Sequence, residues 1–162
     1  MKIYLAGPLG FSEAGETFMY GTLIPKLEDA GFMVINPWKL TDEKVINNVL
    51  MLPYGMQRKQ AWARANKHIG YNNEQGIKEC DIVLAVLDGS DVDSGTAAEI
   101  GFAYAIGKRI VGYRSDFRMG GDNEGAIVNL QVEYFIRQSG GTILPTLAAI
   151  ISELTKLLPV QA

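Results

Sequence analysis

A continuous apolar run from Ile82 to Leu87 is the feature that most constrains the fold of this chain. The run is short and rich in β-branched residues, and no polar residue interrupts it. Strands of parallel sheets have this composition because helices cover both faces of the sheet. The sequence therefore predicts that this segment is a buried strand of a parallel α/β sheet.

Two acidic residues follow the predicted strand. Asp93 ends a polar loop, and Glu99 lies among alanines and isoleucine on the first turns of a predicted helix, where a carboxylate loses hydration. Ligands of open α/β sheets bind outside the carboxyl ends of the strands, so both acids are candidates for one site. They also fit ordinary roles, Asp93 as a capping residue and Glu99 as an acid favoured by the helix dipole.

Strand-like and helical segments alternate along the whole chain. The predicted strands are 2–6, 32–35, 82–87, 109–113 and 142–144, and the predicted helices are 12–30, 56–78, 94–106, 126–136 and 145–158. This alternation predicts a doubly wound α/β fold, flavodoxin- or Rossmann-like, with about five parallel strands flanked by helices. The length of 162 residues suits a single domain spanning 1–162. Residues 39–55 form an irregular excursion of the kind that often serves as a lid.

Charge and composition argue against several classes of partner. With 15 Lys and Arg against 18 Asp and Glu, the chain has no basic footprint for nucleic acid. It has one histidine and one cysteine, the latter expected in the core, so we expect no metal site. A GxGxxG dinucleotide motif is missing, and we expect no cofactor. No signal peptide or apolar run near 20 residues is visible, so a cytoplasmic location without membrane contact is expected.

Four motifs between Lys2 and Tyr134 occur in the order and spacing of a known family. They are KIYLAGP with Phe11, Asn73-x-x-x-Ile77-x-x-x-Asp81, DSGTAAEIG over 93–101, and VNLQVEY over 128–134. Together they resemble the nucleoside 2-deoxyribosyltransferases, whereas related nucleotide N-glycosidases share the first and third. The resemblance implies an enzyme that exchanges a deoxyribosyl group between deoxynucleosides and free nucleobases.

The resemblance implies roles at the sugar end of the site. Glu99 matches the nucleophile, which forms a covalent deoxyribosyl intermediate, and a second displacement by the acceptor base then retains the β configuration. Tyr4 is similar to the family tyrosine that hydrogen-bonds the nucleophile and keeps it ionised. Asp93 resembles the acceptor for the sugar 5′-hydroxyl, which positions the ring over Glu99.

Another group of residues is expected around the base. By the same resemblance Gly7, Pro8 and Phe11 frame the nucleobase, and Phe11 stacks on it. This glycine turn with a bulky aromatic side chain slightly favours purine bases. Trp38 and Trp62 fit the core as well as they fit the site.

Asn73 lies where family members carry Asp or Asn facing the nucleobase. An aspartic acid can protonate the leaving base, but a neutral amide only forms hydrogen bonds. The source of the proton therefore stays open between neighbouring Glu74, a water molecule and protonation of the substrate from solvent.

Asn129 resembles the family asparagine that reaches the 5′-hydroxyl in the site of a neighbouring subunit. The resemblance therefore implies a homo-oligomer, a dimer or an assembly of dimers. It also explains a polar residue on the apolar face of the predicted helix 126–136.

Two other functions remain open. A 2′-deoxynucleoside 5′-monophosphate N-glycosidase would pass the intermediate to water, but it must hold a phosphate, which the carboxylates of Asp93 and Glu99 would repel. A noncatalytic nucleotide-sensing domain is also possible, because a fold alone never fixes function.

Overall fold

A computed structural model describes residues 1–159 and contains a five-stranded, fully parallel sheet. The strands are β1 (Lys2–Ala6), β2 (Met33–Ile35), β3 (Ile82–Val86), β4 (Arg109–Tyr113) and β5 (Ile143–Leu144). Their order in the sheet is β2-β1-β3-β4-β5. This arrangement confirms the doubly wound α/β fold and creates a topological switch point between β1 and β3, where Tyr4 is in register with Val83. The predicted domain end at Ala162 lies outside the described residues.

Helices cover both faces of the sheet. They are α1 (Glu13–Phe18), α2 (Ile24–Asp29), α3 (Glu43–Leu50), α4 (Met56–Glu79), α5 (Ser94–Ala105), α6 (Leu130–Gln138) and α7 (Leu147–Thr155). The core on one face includes residues of α4, α5 and α6, and the core on the other includes residues of α2 and α7. None of the helices within residues 1–159 has the length and apolar character that crossing a bilayer requires.

Strand β3 is the centre of the core. Its five residues are all buried, and alternate side chains enter the two opposite core clusters, Val83 on one face and Leu84 on the other. Burying a side chain of this size stabilises a fold by roughly 1.5–3 kcal/mol. The unbroken apolar run is therefore explained by burial on both sides, as the sequence predicts.

The first predicted helix is less regular than its pattern indicates. It begins as predicted after Ser12, whose side chain accepts a hydrogen bond from the N–H of Gly15, and it ends before Gly31 at φ +89°. Between α1 and α2, however, residues Met19–Leu23 form a π-helical turn. Pro25 is the second residue after this turn and has no N–H to donate to the carbonyl of Gly21, which accounts for the widened turn.

Two predicted helix starts are wrong. Helix α6 begins at Leu130 rather than at 126, because the side chain of Asn129 accepts hydrogen bonds from the N–H groups of Gln131 and Val132 and caps the helix. Asn129 is therefore not a polar exception on an apolar helix face. Helix α7 begins at Leu147 and is capped by Thr146, so Pro145 precedes the helix instead of starting it.

The excursion over residues 39–55 contains the short helix α3. This helix packs on α4 through Val49 and Ala65, and Trp62 lies partly buried against the same cluster. Helix α4 is continuous for 24 residues and passes through Gly70 without a break. The carboxyl-terminal half of α4 packs beside β1, and this places the helix next to the carboxyl end of that strand.

Substitution of Gly141 tests the close packing of β4 against the segment that leads into β5. An added Cβ at Gly141 would lie 1.6 Å from the carbonyl oxygen of Ile110, so the backbone must move. We expect Gly141→Ala to lower the free energy of unfolding by about 3 kcal/mol. Gly70→Ala meets no atom within 4 Å and should raise it by up to about 1 kcal/mol, since alanine favours helix. Urea unfolding of both variants measures the difference, and equal effects would contradict this packing.

Candidate active site

A cavity of about 400 Å³ lies at the switch point, beyond the carboxyl ends of β1 and β3. Loops after β1 and β2 contribute to its lining together with one face of α4 and the first turns of α5. The lining residues are Gly7, Phe11, Pro37, Trp38, Asn66, Ile69, Asn73, Asp93, Gly95, Thr96 and Glu99. Binding at this place is expected for an open α/β sheet.

The carboxylate of Glu99 is held by a phenol from the central sheet. Tyr4 lies fully buried on β1, and its hydroxyl donates a 2.6 Å hydrogen bond to Oε1 of Glu99. The ring of Tyr4 packs against Gly76 of α4, where an added Cβ would come within 3.0 Å of the ring. The residues Tyr4 and Glu99, 95 positions apart in sequence, are thus joined by a contact that fixes the direction of the carboxylate.

The environment makes the charged form of Glu99 costly. Burial raises the pKa of the Glu99 carboxyl above its usual value, the hydrogen bond from Tyr4 lowers it, and the negative charge of Asp93 raises it. The pKa of Tyr4 is also raised, first by burial and then by the charge and hydrogen bond of Glu99. Tyr4 therefore stays protonated as a donor, while Glu99 is a weakly solvated carboxylate that faces the cavity.

Asp93 is both a helix cap and a wall of the cavity. Its Oδ2 accepts hydrogen bonds from the N–H of Thr96 at 2.9 Å and from the Thr96 hydroxyl at 3.1 Å. The capping role weighed from the sequence is thus confirmed, and the same side chain lines the cavity with Glu99. Capping fixes the carboxylate at the helix entrance, where it can also accept a hydrogen bond from a ligand.

The loop that ends at Asp93 is tied to the loop after β4. Asp88 accepts hydrogen bonds from the N–H groups of Ser115 and Asp116 at 2.6 and 2.8 Å. Arg114 is buried, and its guanidinium donates to backbone carbonyl oxygens of both loops, those of Leu87, Gly89 and Arg118. These contacts restrict the entrance to α5 and with it the position of both acids.

Two aromatic rings stand at the open end of the cavity. Phe11 is 75% exposed and meets Trp38 edge to face, with ring centroids 4.7 Å apart. The indole of Trp38 packs on Gly10, where an added Cβ would lie 2.3 Å from the ring. An exposed aromatic corner of this kind suits a flat, apolar group of a ligand.

Helix α4 contributes two carboxamides to the opposite wall. Asn66, Ile69 and Asn73 lie on one face of the helix, three and four residues apart. The Oδ1 atom of Asn73 is buried and has no hydrogen-bond partner within the described chain. An unpaired buried acceptor costs about 1–3 kcal/mol, which a ligand with an N–H group would recover.

The structure brings most of the expected site residues together. Gly7, Phe11, Asn73, Asp93 and Glu99 line the cavity, and Tyr4 contacts Glu99 from the sheet. Pro8 and Asn129 are not among its lining residues. Pro8 precedes the 3-10 turn Leu9–Phe11, and Asn129 caps α6.

Other lining residues were not expected from the sequence. The sequence does not predict a site role for Pro37, Asn66, Ile69, Gly95 or Thr96, and it does not distinguish Trp38 from a core residue. Asn66 and Ile69 are seven and four residues before Asn73, so a helix over 56–78 places all three on one face. This spacing is the sequence signal that predicts Asn66 and Ile69 as neighbours of Asn73. Trp38 follows a strand edge through a 3-10 turn, and no sequence pattern fixes where that turn points.

The charged side chains in the lining of the cavity are both negative. Its lining includes the two carboxylates of Asp93 and Glu99 but, among the residues that the structure describes, no Lys, Arg or His. Within residues 1–159 no group of three or more His, Cys, Asp or Glu is arranged to hold a metal ion. The arrangement therefore suits a neutral polar ligand better than an anionic one.

Several known proteins are similar to this chain. The model of the family described as "Nucleoside 2-deoxyribosyltransferase" matches residues 3–131, and no curated protein sequence matches the chain. A conserved protein from Enterococcus faecalis V583 is 23% identical with a TM-score of 0.68, covering 98% of this chain and 99% of its own. A 2-desoxiribosyltransferase from Leishmania mexicana is 21% identical, with a TM-score of 0.64 and coverage of 96% and 97%. A CMP N-glycosidase from Clostridium botulinum is 20% identical, with a TM-score of 0.56 and coverage of 95% and 98%.

The solved structures confirm the fold and nothing more specific, because their sequence identities to this chain are low. The family match is more specific, because it covers most of the chain and includes Tyr4, Asp93 and Glu99. It spans nearly the same stretch as the four motifs found in the sequence and so confirms the resemblance. The chain therefore belongs to the nucleoside 2-deoxyribosyltransferase family.

Proposed function

We propose that this protein, as one catalytic domain, transfers the 2-deoxyribosyl group between nucleobases through a covalent intermediate on Glu99. The observation that carries the proposal is the 2.6 Å hydrogen bond from the buried Tyr4 to Glu99 at the wall of the cavity. It leaves a weakly solvated carboxylate that is fixed in direction, as a nucleophile requires. Bond formation to C1′ of the sugar neutralises that charge, so desolvation favours the reaction over the resting state.

The reaction uses two displacements. In the first, the Glu99 carboxylate attacks C1′ as the bond to the base breaks, and positive charge develops on the sugar ring. In the second, a different base attacks C1′ from the face that the first base left, and the bond to Glu99 breaks. Two inversions retain the β configuration.

Asp93 is proposed to hold the sugar by its 5′-hydroxyl. The cap interaction with Thr96 fixes the Asp93 carboxylate beside Glu99 in the same cavity. A hydroxyl anchored there would place C1′ within reach of the nucleophile, and such positioning contributes several kcal/mol to catalysis.

The charge of the cavity favours a nucleoside over a nucleotide. A 5′-phosphate would approach Asp93, and within the described lining no cationic side chain offsets that charge. This observation ranks transfer from nucleosides above hydrolysis of a nucleoside monophosphate, although a CMP N-glycosidase has a similar fold. Phe11 and Trp38 would contact the base, and Gly7 would allow its close approach.

Asn129 is proposed to act in the site of a second subunit, as the resemblance implies. It lies outside the residues that line the cavity of its own chain, and it is half-buried at the start of α6. The proposal therefore includes a homo-oligomer, with the 5′ end of each substrate completed by the partner.

The central test is base exchange. Incubation with 2′-deoxyinosine and adenine should yield 2′-deoxyadenosine, and Glu99→Gln should lower the rate by at least about 1,000-fold, because the nucleophile is lost. Chromatography of the products measures the exchange. Hydrolysis of a deoxynucleoside monophosphate without exchange would instead identify a glycosidase, and tight binding without turnover would identify a sensor.

The stability of the Glu99→Gln variant shows whether its loss of activity comes from the missing nucleophile or from a disturbed fold. Since the folded-state pKa of Glu99 is raised, its ionisation costs stability as pH rises from the usual carboxyl pKa to the raised value. The glutamine variant avoids that cost and should be at least as stable as the native protein near pH 7. A lower Tm in the variant would contradict this reading of the site.

Tyr4→Phe tests the hydrogen bond itself. Removing the donor raises the pKa of Glu99 further, so the acid limb of kcat/KM should move to higher pH. Near neutral pH the rate should fall by about 10- to 100-fold, as expected for a hydrogen bond to a charged group. The pH profile of both proteins gives the answer. An acid limb that does not move would show that Tyr4 does not tune Glu99.

Asp93→Asn and Asp93→Ala separate capping from charge. Asparagine caps a helix as well as aspartate, so Asp93→Asn should keep its stability, whereas Asp93→Ala should lose about 1 kcal/mol. Both variants should bind the sugar weakly and show a KM raised by about tenfold or more, because a hydrogen bond to a charged group is lost. Full activity of the asparagine variant would reduce Asp93 to a capping residue.

A further inference from the structure

We propose, on the basis of the transfer reaction above, that solvent rather than a side chain protonates the leaving base. The donors are therefore purine 2′-deoxynucleosides, whose N7 atom is a basic ring nitrogen that solvent can protonate. Pyrimidine nucleosides such as thymidine leave charge on weakly basic carbonyl oxygens and are poor donors.

Both acids of the cavity are engaged at the sugar end. Glu99 accepts the hydrogen bond of Tyr4 and must be ionised to attack C1′. Asp93 is fixed by Thr96 at the helix entrance. The hydroxyl of Tyr4 is directed at Glu99, and its raised pKa opposes release of its proton. None of these groups is free to donate a proton at the opposite end of the cavity.

The base end of the cavity has a different composition. Its lining there consists of Phe11, Trp38, Ile69 and the carboxamides of Asn66 and Asn73, and none of these side chains releases a proton near neutral pH. Within the described chain, the cavity lining includes no histidine and no third acid.

Titratable residues on α4 do not replace the missing acid. Glu74, which follows Asn73 directly, is half-exposed, forms an ion pair with Lys78 and does not line the cavity. His68 lies 3.4 Å from the amide of Asn72, which donates to the carbonyl of Leu40. Glu74, Lys78, His68 and Asn72 do not line the cavity. Of the three proton sources that the sequence leaves open, Glu74 is therefore excluded, and water and solvent protonation of the substrate remain.

The unpaired Oδ1 of Asn73 indicates what the base presents. This buried acceptor requires an N–H group, and a purine protonated at N7 supplies one. Phe11 is largely exposed at the mouth of the cavity, which leaves a path by which solvent reaches a bound base. Asn73 is thus a specificity residue that accepts a hydrogen bond from the protonated purine.

The first displacement then balances as follows. A hydronium ion of the solvent gives a proton to N7 and leaves a water molecule. The electron pair of the C1′–N9 bond moves to N9, and a carboxylate oxygen of Glu99 bonds to C1′. The base departs as a neutral purine that carries its proton on N7.

Single-turnover release of the base, with enzyme in excess, measures this step without an acceptor. In the native protein, release from 2′-deoxyinosine should fall by at least about tenfold from about pH 6 to about pH 8, and thymidine should react at least about 100-fold more slowly than 2′-deoxyinosine. Asn73→Asp supplies an acid and should accelerate release from 2′-deoxyinosine at about pH 6 by about 100-fold.

Gln60→Glu is the matched control. It places an acid on α4 at an exposed position outside the cavity lining and should leave the rate within about twofold of the native value. Thymidine reacting as fast as 2′-deoxyinosine, or a pH-independent rate that Asn73→Asp does not raise, would overturn the inference while leaving deoxyribosyl transfer intact. No release from any donor in any variant would instead overturn the proposed transfer reaction, and the inference with it.

Discussion

The hydrogen bond between Tyr4 and Glu99 joins the centre of the sheet to the candidate active site. Tyr4 comes from β1, which pairs on both sides with other strands, and Glu99 comes from the helix that follows β3. A carboxylate on the buried side of such a helix would normally be excluded by its desolvation cost. The hydrogen bond from the Tyr4 hydroxyl offsets part of that cost and fixes the orientation of the Glu99 carboxylate.

The parallel sheet explains why these residues meet. In the order β2-β1-β3-β4-β5 the connections from β1 and β3 leave on opposite faces, and a crevice opens between them. The loops around this crevice are held in place by polar contacts, in particular those of the buried Arg114 and of Asp88. These contacts fix the loop that carries Asp93, which lines the same cavity as Glu99.

Sequence patterns predict the parts of this protein that depend on burial and periodicity. The run 82–87 predicts β3 because both faces are covered, and the pattern of Glu99 among apolar residues indicates a site on α5. The alternation of segments likewise predicts the parallel sheet.

Local hydrogen bonds are harder to anticipate. The start of α6 was predicted four residues too early, because the apolar residues Ala126 to Val128 look helical although Asn129 caps the helix. Trp38 lines the cavity because the 3-10 turn Pro37–Lys39 places its indole on Gly10. No periodic pattern in the sequence encodes this packing. The orphan acceptor of Asn73 is a property of the folded cavity alone.

Helix α5 gives its two acids unequal environments. The favourable effect of a helix dipole on a negative charge fades within the first turn. Asp93 caps the helix, and its carboxylate accepts two hydrogen bonds from Thr96 that fix its position. Glu99 is the sixth residue of the helix, beyond the first turn, and burial raises its pKa despite Tyr4. One helix thus supplies a fixed carboxylate suited to hold a hydroxyl and a poorly solvated carboxylate suited to form a bond, and their separation follows from six positions of sequence.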